Sequence, residues 1–266
     1  MNHVLDCVPA AARASVLACV VLVAGCASQG GGASIVATET TAANVPRVGF
    51  LTDYTRLRPM PGGGGMLCWR DAGVNWKQYD KVMIEPMRVT FAPGSAQKPV
   101  DPTDLKVLFD YFHGALVKAL QPSTQVVTAT GPGVLRVRIA LTNLAPTNTL
   151  ESLAGTAVPY GFVAEMGSGV ATGRPAGSTP YLGQTGLEVQ FRDGVSGNAV
   201  AECADTEIGR KYAADMSKSA PSAAETWMNG YFDSFSSWSY ARDAFDKWAA
   251  VFAQRFDALR AITPKS

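Results

Sequence analysis

A chain of 266 residues with 23 Lys and Arg against 22 Asp and Glu lacks the basic surplus that would draw it to nucleic acid or an anionic surface. Its 47% hydrophobic residues are enough for one sizeable core, and 26 Gly with 16 Pro call for many turns. With two histidines in all, and no Cys-x-x-Cys, His-Glu-x-x-His or Gly-x-Ser-x-Gly, the common zinc, redox and serine-hydrolase signatures are missing, and no metal or other cofactor is expected.

Residues 1–25 are expected to be a signal peptide. An apolar core at 16–23 is too short to span a bilayer and ends on small residues. Val23-Ala24-Gly25-Cys26 resembles a bacterial lipobox, which makes Cys26 the lipid attachment site and the membrane a partner through its acyl chains. Ala27, in place of Asp, resembles the pattern of lipoproteins that leave the inner membrane. The expected location is therefore the periplasmic face of the outer membrane. Processing at Cys26 leaves Cys68 and Cys203 as an even pair in an oxidising compartment, either joined in a disulfide or both free and buried.

Residues 26–46, rich in Ser, Gly, Ala and Thr, read as a flexible tether. A single periplasmic domain is expected over 47–262. Pro59-Met60-Pro61 and Gly62 to Gly65 break any regular element, and the lack of a following helix argues for a loop over a phosphate cradle. A short strand is predicted at 81–85, ending at Pro86. Asp101-Pro102-Thr103-Asp104 is a helix start, with Asp101 as N-cap and Pro102 in the first turn. Leu105, Leu108, Phe109, Phe112, Leu116 and Leu120 then form the buried stripe. His113 at the margin of that stripe is read as structural.

Residues 125–128 and 134–144 are predicted strands. In the second, Leu135, Val137, Ile139 and Leu141 face one way, while Arg136, Arg138 and Thr142 face the other. The arginine face is expected to be solvated; anion binding is the alternative. Residues 150–182 form a long apolar loop, expected to fold over the domain's own core, with partner binding as the alternative. A hairpin follows, from 185–192 through Asp193-Gly194 into 198–209. Trp227, Tyr231, Phe232, Phe235 and Trp238 precede a final helix whose stripe is Ala241, Phe245, Trp248, Phe252, Phe256 and Leu259.

Four motifs carry a family resemblance: Gly49-Phe50-Leu51-Thr52-Asp53-Tyr54, Trp76-Lys77-Gln78-Tyr79-Asp80-Lys81-Val82, Gly131-Pro132-Gly133-Val134-Leu135-Arg136-Val137-Arg138, and Ala244-Phe245-Asp246-Lys247-Trp248-Ala249. In this order, behind a lipobox, the chain resembles the Gram-negative lipoproteins of domain-of-unknown-function family 3313. The resemblance implies an envelope lipoprotein and transfers no catalytic residue. The element order suggests an α/β (α+β) fold, a two-layer mixed sheet of about five strands with two main helices on one face.

The expected role is non-catalytic binding or scaffolding of an envelope component, an envelope protein being the candidate partner and nucleic acid being excluded. One alternative is a carboxylate-dependent cell-wall hydrolase using some pair of Asp53, Asp71, Asp193 and Glu202. Another is a small-ligand or lipid carrier lined by the 150–182 loop, which would show an apolar cavity beneath that loop.

Overall fold

The computed structural model describes residues 36–38, 40, 45, 47–62, 65–91, 100–146, 148, 183–209 and 238–261. Cys26 with its lipobox, the 150–182 loop and the aromatics from Trp227 to Phe235 lie outside the described residues.

One mixed sheet carries the chain. Its strands are β1 (Val36–Thr38), β2 (Arg58–Pro59), β3 (Leu67–Arg70), β4 (Lys81–Ile84), β5 (Arg88–Val89), β6 (Gln125–Val126), β7 (Val134–Ala145), β8 (Gln184–Asp193) and β9 (Ala199–Gly209). They run in the order β2-β3-β9-β8-β7-β4-β6, with β1 added on β9 and β5 on β7. The pairs β4–β6, β4–β7 and β5–β7 are parallel, as the crossover through helix α1 (Pro102–Leu120) requires. The rest of the sheet is antiparallel.

Five strands was thus too few. The additional ones are β1, β2, β3 and β5, of two to four residues each, too short for an alternation to show. β1 falls inside the 26–46 stretch expected to be a tether; there Val36, Ala37 and Thr38 pair with Gly209, Ile208 and Glu207.

Helix α1 starts as its sequence dictates: Asp101 accepts from the Thr103 amide at 2.8 Å and Pro102 occupies the first turn. Leu108, Phe112, Leu116 and Leu120 are buried against the sheet. Helix α2 (Ser239–Ala261) lies beside it on the same face and buries Phe245, Trp248 and Phe256. Phe112 of α1 stacks on Phe245 of α2 with ring centroids 4.5 Å apart, an offset aromatic contact that adds to their area burial. Trp238, just ahead of α2, ties it to α1 by donating its indole N–H to Asp104 at 2.9 Å. His113 stands exposed on the outer side of α1.

The Trp76 to Val82 motif is a joint. Asn75 caps a 3-10 turn, Trp76 and Tyr79 pack edge to face in the core, and Tyr79 Oη donates to Asp193 in the β8–β9 turn at 3.0 Å. The Gly131-Pro132-Gly133 turn presses on the same place. A side chain at Gly194 would put its Cβ 2.5 Å from the Val134 carbonyl oxygen and 2.6 Å from that of Gly131, both backbone atoms that cannot swing aside. Gly194→Ala is therefore expected to lower stability by about 1–3 kcal/mol in urea unfolding. An unchanged midpoint would show that the two turns do not need this contact.

Candidate functional site: an apolar cavity under the last helix

Between the sheet and α2 lies a cavity of about 410 Å³, within the ~300–1,000 Å³ range of ligand pockets. Its floor is Val137 and Ile139 of β7, Leu187 and Val189 of β8, and Ala201 and Cys203 of β9. These are the inward positions that the period of two places on one face. Phe112 and Leu116 of α1 form one wall, while Trp248, Phe252 and Phe256 of α2 form the roof. Arg58, Arg70 and Arg255 border it with Met60. Among the described lining residues there is no Asp or Glu.

Cys68 and Cys203, directly opposite in the β3–β9 ladder with Cα atoms 4.1 Å apart, are joined in a disulfide that forms part of the wall. Trp76 is a second polar feature there. It is only 6% exposed, it lines the cavity, and its Nε1 has no acceptor among the described residues. The Nε of Arg255 likewise has none. Buried donors are nearly always satisfied, so two orphans lining one apolar cavity mark a place where a further acceptor would be welcome.

The opposite face of the sheet is also covered. Residues 47–57, which contain the Gly49 to Tyr54 motif, run across β8 and β9 and pack Leu51 and Leu57 on Leu67 and Ala204. Beneath them lies a polar network. Glu188 Oε2 accepts from Tyr54 Oη at 2.7 Å, and that hydroxyl in turn accepts from the Gly49 and Phe50 amides at 2.9 and 3.1 Å. Gly49 takes φ +80, a conformation suited to glycine, so that the chain can curl around the hydroxyl. Glu202 accepts from the Thr52 amide at 2.8 Å, from Gln190 Nε2 at 2.6 Å and from Arg56 at 3.1 Å.

Burial pushes Glu188 up to about 7, since the Tyr54 hydroxyl and nearby amides offset only part of the cost of a buried charge. Burial and then Glu188 push Tyr54 up to about 12. For Glu202, burial acts upward too, but the Thr52 amide and Gln190 side chain together hold it below its ordinary value.

Of the four carboxylates considered for hydrolysis, Asp53 and Glu202 meet at Arg56, at 3.5 and 3.1 Å from its guanidinium, and every one of the four is committed to a local structural role. Asp53 caps the turn at Tyr54–Arg56 through Thr55, and Asp71 accepts from the Gly73 amide. Asp193 holds its hairpin turn through the Val195 and Ser196 amides, and Glu202 sits under the strap. None lines the cavity. The carrier reading expects an apolar cavity under residues 150–182, which lie outside the described residues; the cavity formed by the described residues lies under α2. No cluster of three or more potential metal ligands occurs among the described residues, and no helix among them is long and apolar enough to cross a membrane.

A mixed sheet with two helices on one face and an apolar cavity between the layers defines the class. The chain belongs to the family described as "Protein of unknown function (DUF3313)", which it matches over residues 46–232. No curated protein matches it. Among solved structures, the PelC dodecamer from Paraburkholderia phytofirmans is similar at 11% identity and a TM-score of 0.32, covering 71% of this chain and 98% of that one. A Xanthomonas campestris protein of family DUF330 is similar at 10% identity and a TM-score of 0.28, covering 68% and 88%. At those scores neither contributes to the functional reading.

Proposed function

We propose that this protein is a lipoprotein, anchored by an acylated Cys26 at the periplasmic face of the outer membrane, whose domain works by binding rather than catalysis. Its cavity would take an apolar or amphiphilic ligand such as a single acyl chain. The cavity beneath α2 carries this reading. Its described lining is apolar, holds no carboxylate, and offers only two unpartnered donors and bordering arginines to a ligand's polar end. That composition suits a non-reacting hydrophobic guest and gives an acid–base mechanism nothing to work with. Anchoring follows from the lipobox, since each buried methylene of an acyl chain contributes ~0.8 kcal/mol and several chains make attachment effectively permanent.

The test uses the full chain and the apolar fluorophore N-phenyl-1-naphthylamine. Saturable enhancement of its emission is expected, with displacement by a long-chain fatty acid. Ala201→Leu, which projects into the floor, should abolish the enhancement while retaining the wild-type circular dichroism spectrum. Absence of saturable binding to the wild type, or equal binding to this folded variant, would refute the cavity reading. Metabolic labelling with palmitate, lost in Cys26→Ser, tests the anchor separately.

A further inference from the structure

The sheet face turned away from the helices carries a second unusual feature, independent of the cavity. In the β7–β8 ladder Arg136 stands directly opposite Arg192, an arrangement of like charges that destabilises a strand pair unless something compensates it. Arg138 is the next residue on that face. Its Nη1 donates to Gln190 Oε1 at 2.6 Å, and the same oxygen accepts from Arg192 Nε at 2.5 Å, so two guanidinium groups meet across one neutral atom. Arg88 joins them through Phe50, over whose ring Arg88 and Arg138 lie at 5.5 and 5.2 Å.

The countercharge is thin. Glu85 pairs with Arg136 and, at 3.4 Å, with Arg138. The hydrogen bonds of Arg192 go to Gln190 and to the Gly197 carbonyl, neither of them charged. The other acids on this face are engaged elsewhere: Glu188 by Tyr54 and Glu202 by Thr52, Gln190 and Arg56. Among the described residues, four arginines therefore face one committed carboxylate, in a chain whose formal net charge is only +1.

These guanidinium groups are also held in place. The side chains of Arg136 and Arg138 are 30% and 23% exposed, against 76% for Lys106 on α1. Burial first, and then the charge of Arg192, draw the Arg138 guanidinium below the ordinary arginine value. An outer face of ordinary solvated arginines would spread its charges; this one gathers them around Phe50 and Gln190.

We propose that Arg88, Arg136, Arg138 and Arg192 form an anion-binding site on this face that takes a phosphate-bearing group. Guanidinium forks match the oxygens of phosphate in pairs, and a dianionic or diester phosphate among them would remove the like-charge strain between β7 and β8.

The full chain carrying Cys26→Ser is the protein to use, so that vesicle binding cannot arise from acyl chains. Two arms separate the sources of phosphate: calorimetric titration with inorganic phosphate, and co-sedimentation with phosphatidylglycerol vesicles against vesicles of phosphatidylcholine alone. Saturable phosphate binding without vesicle discrimination assigns a soluble phosphorylated ligand, whereas preference for phosphatidylglycerol assigns a headgroup; either supports the site. Arg138→Gln with Arg192→Gln is expected to weaken the binding about tenfold or more, as loss of hydrogen bonds to a charged group does. Arg88→Gln, which removes only the exposed member, keeps the test valid if the double variant does not fold. Lys106→Gln should change nothing. The proposal is overturned if neither probe binds, if neither a folded double variant nor Arg88→Gln weakens binding, or if Lys106→Gln weakens it equally.

Discussion

Replacing Cys68 and Cys203 together by alanine is expected to lower the unfolding free energy by about 3–5 kcal/mol. The two residues are 135 apart in sequence, and closing so long a loop in the unfolded chain reaches about 5 kcal/mol in the chain-entropy account. Two features of the fold argue for the upper part of this range. β3 is held to β9 by four residue pairs and to β2 by two, so the bridge secures an edge with little else to retain it. The sulfur atoms also help to wall the cavity, and their removal enlarges a void already about 410 Å³ in volume, a cost that rises with cavity size. Urea unfolding at pH 7 measures the loss. The slope should steepen as well, because an unfolded chain without the cross-link exposes more surface. A loss below about 1 kcal/mol would mean that the bridge does not restrain the unfolded chain in this way.

The helices and long strands were legible in the sequence because their signals are local. Asp101 and Pro102 specify where α1 begins, and apolar residues three and four apart specify the faces that α1 and α2 bury. Leu135, Val137, Ile139 and Leu141 specify the core face of β7. Of the short strands, β4 and β6 were legible and others were not: Leu67 to Arg70 becomes a strand only because β9 offers it a ladder, and Val36 to Thr38 for the same reason.

The polar face of β8 and β9 shows where a local rule gives way. Glu188, Gln190 and Glu202 alternate with apolar residues as a solvated face would, yet all three are buried, since residues 47–57 cover them. The strap itself was visible as a motif, but its role was not. Leu51 and Leu57 supply its apolar contacts, while Thr52 and Tyr54 satisfy acids 150 and 134 residues away. The cavity has no sequence signature at all. It is the space that inward side chains of β7, β8 and β9 and the α2 stripe fail to fill, a property of their summed shapes. Arg136 and Arg138 were placed on the correct face, but their meeting with Arg192 depends on the register of β7 against β8.

Glu188→Gln is expected to gain stability relative to the wild type as pH rises from 4 to about 8, and to keep that gain at alkaline pH. Glu188 is fully buried and titrates at about 7 in the folded protein, against an unfolded value of ~4.3. Below the unfolded value both states hold the proton, and Glu188 has no effect on pH dependence. As pH rises between the two values, the unfolded chain loses the proton while the folded one keeps it. The folded state then binds more protons, so stability falls with increasing pH until both states are ionised. A shift of this size amounts to roughly 3–4 kcal/mol. Glutamine cannot ionise, and its amide oxygen can still accept the Tyr54 hydroxyl that Glu188 accepts at 2.7 Å. The difference, variant minus wild type, should therefore climb by about 3 kcal/mol from pH 4 to pH 8 and level off above that. Taking the difference matters, because Asp53, Asp101, Asp193, Glu202 and Asp257 have lowered values and stabilise the fold in the opposite direction, losing their contribution as pH falls. These terms are common to both proteins and cancel. Urea unfolding of the pair at half-unit steps is the measurement. Parallel profiles would show that Glu188 ionises at the same pH in the folded and unfolded chain, and hence that the Gly49 to Tyr54 strap stabilises a buried carboxylate and not a buried acid.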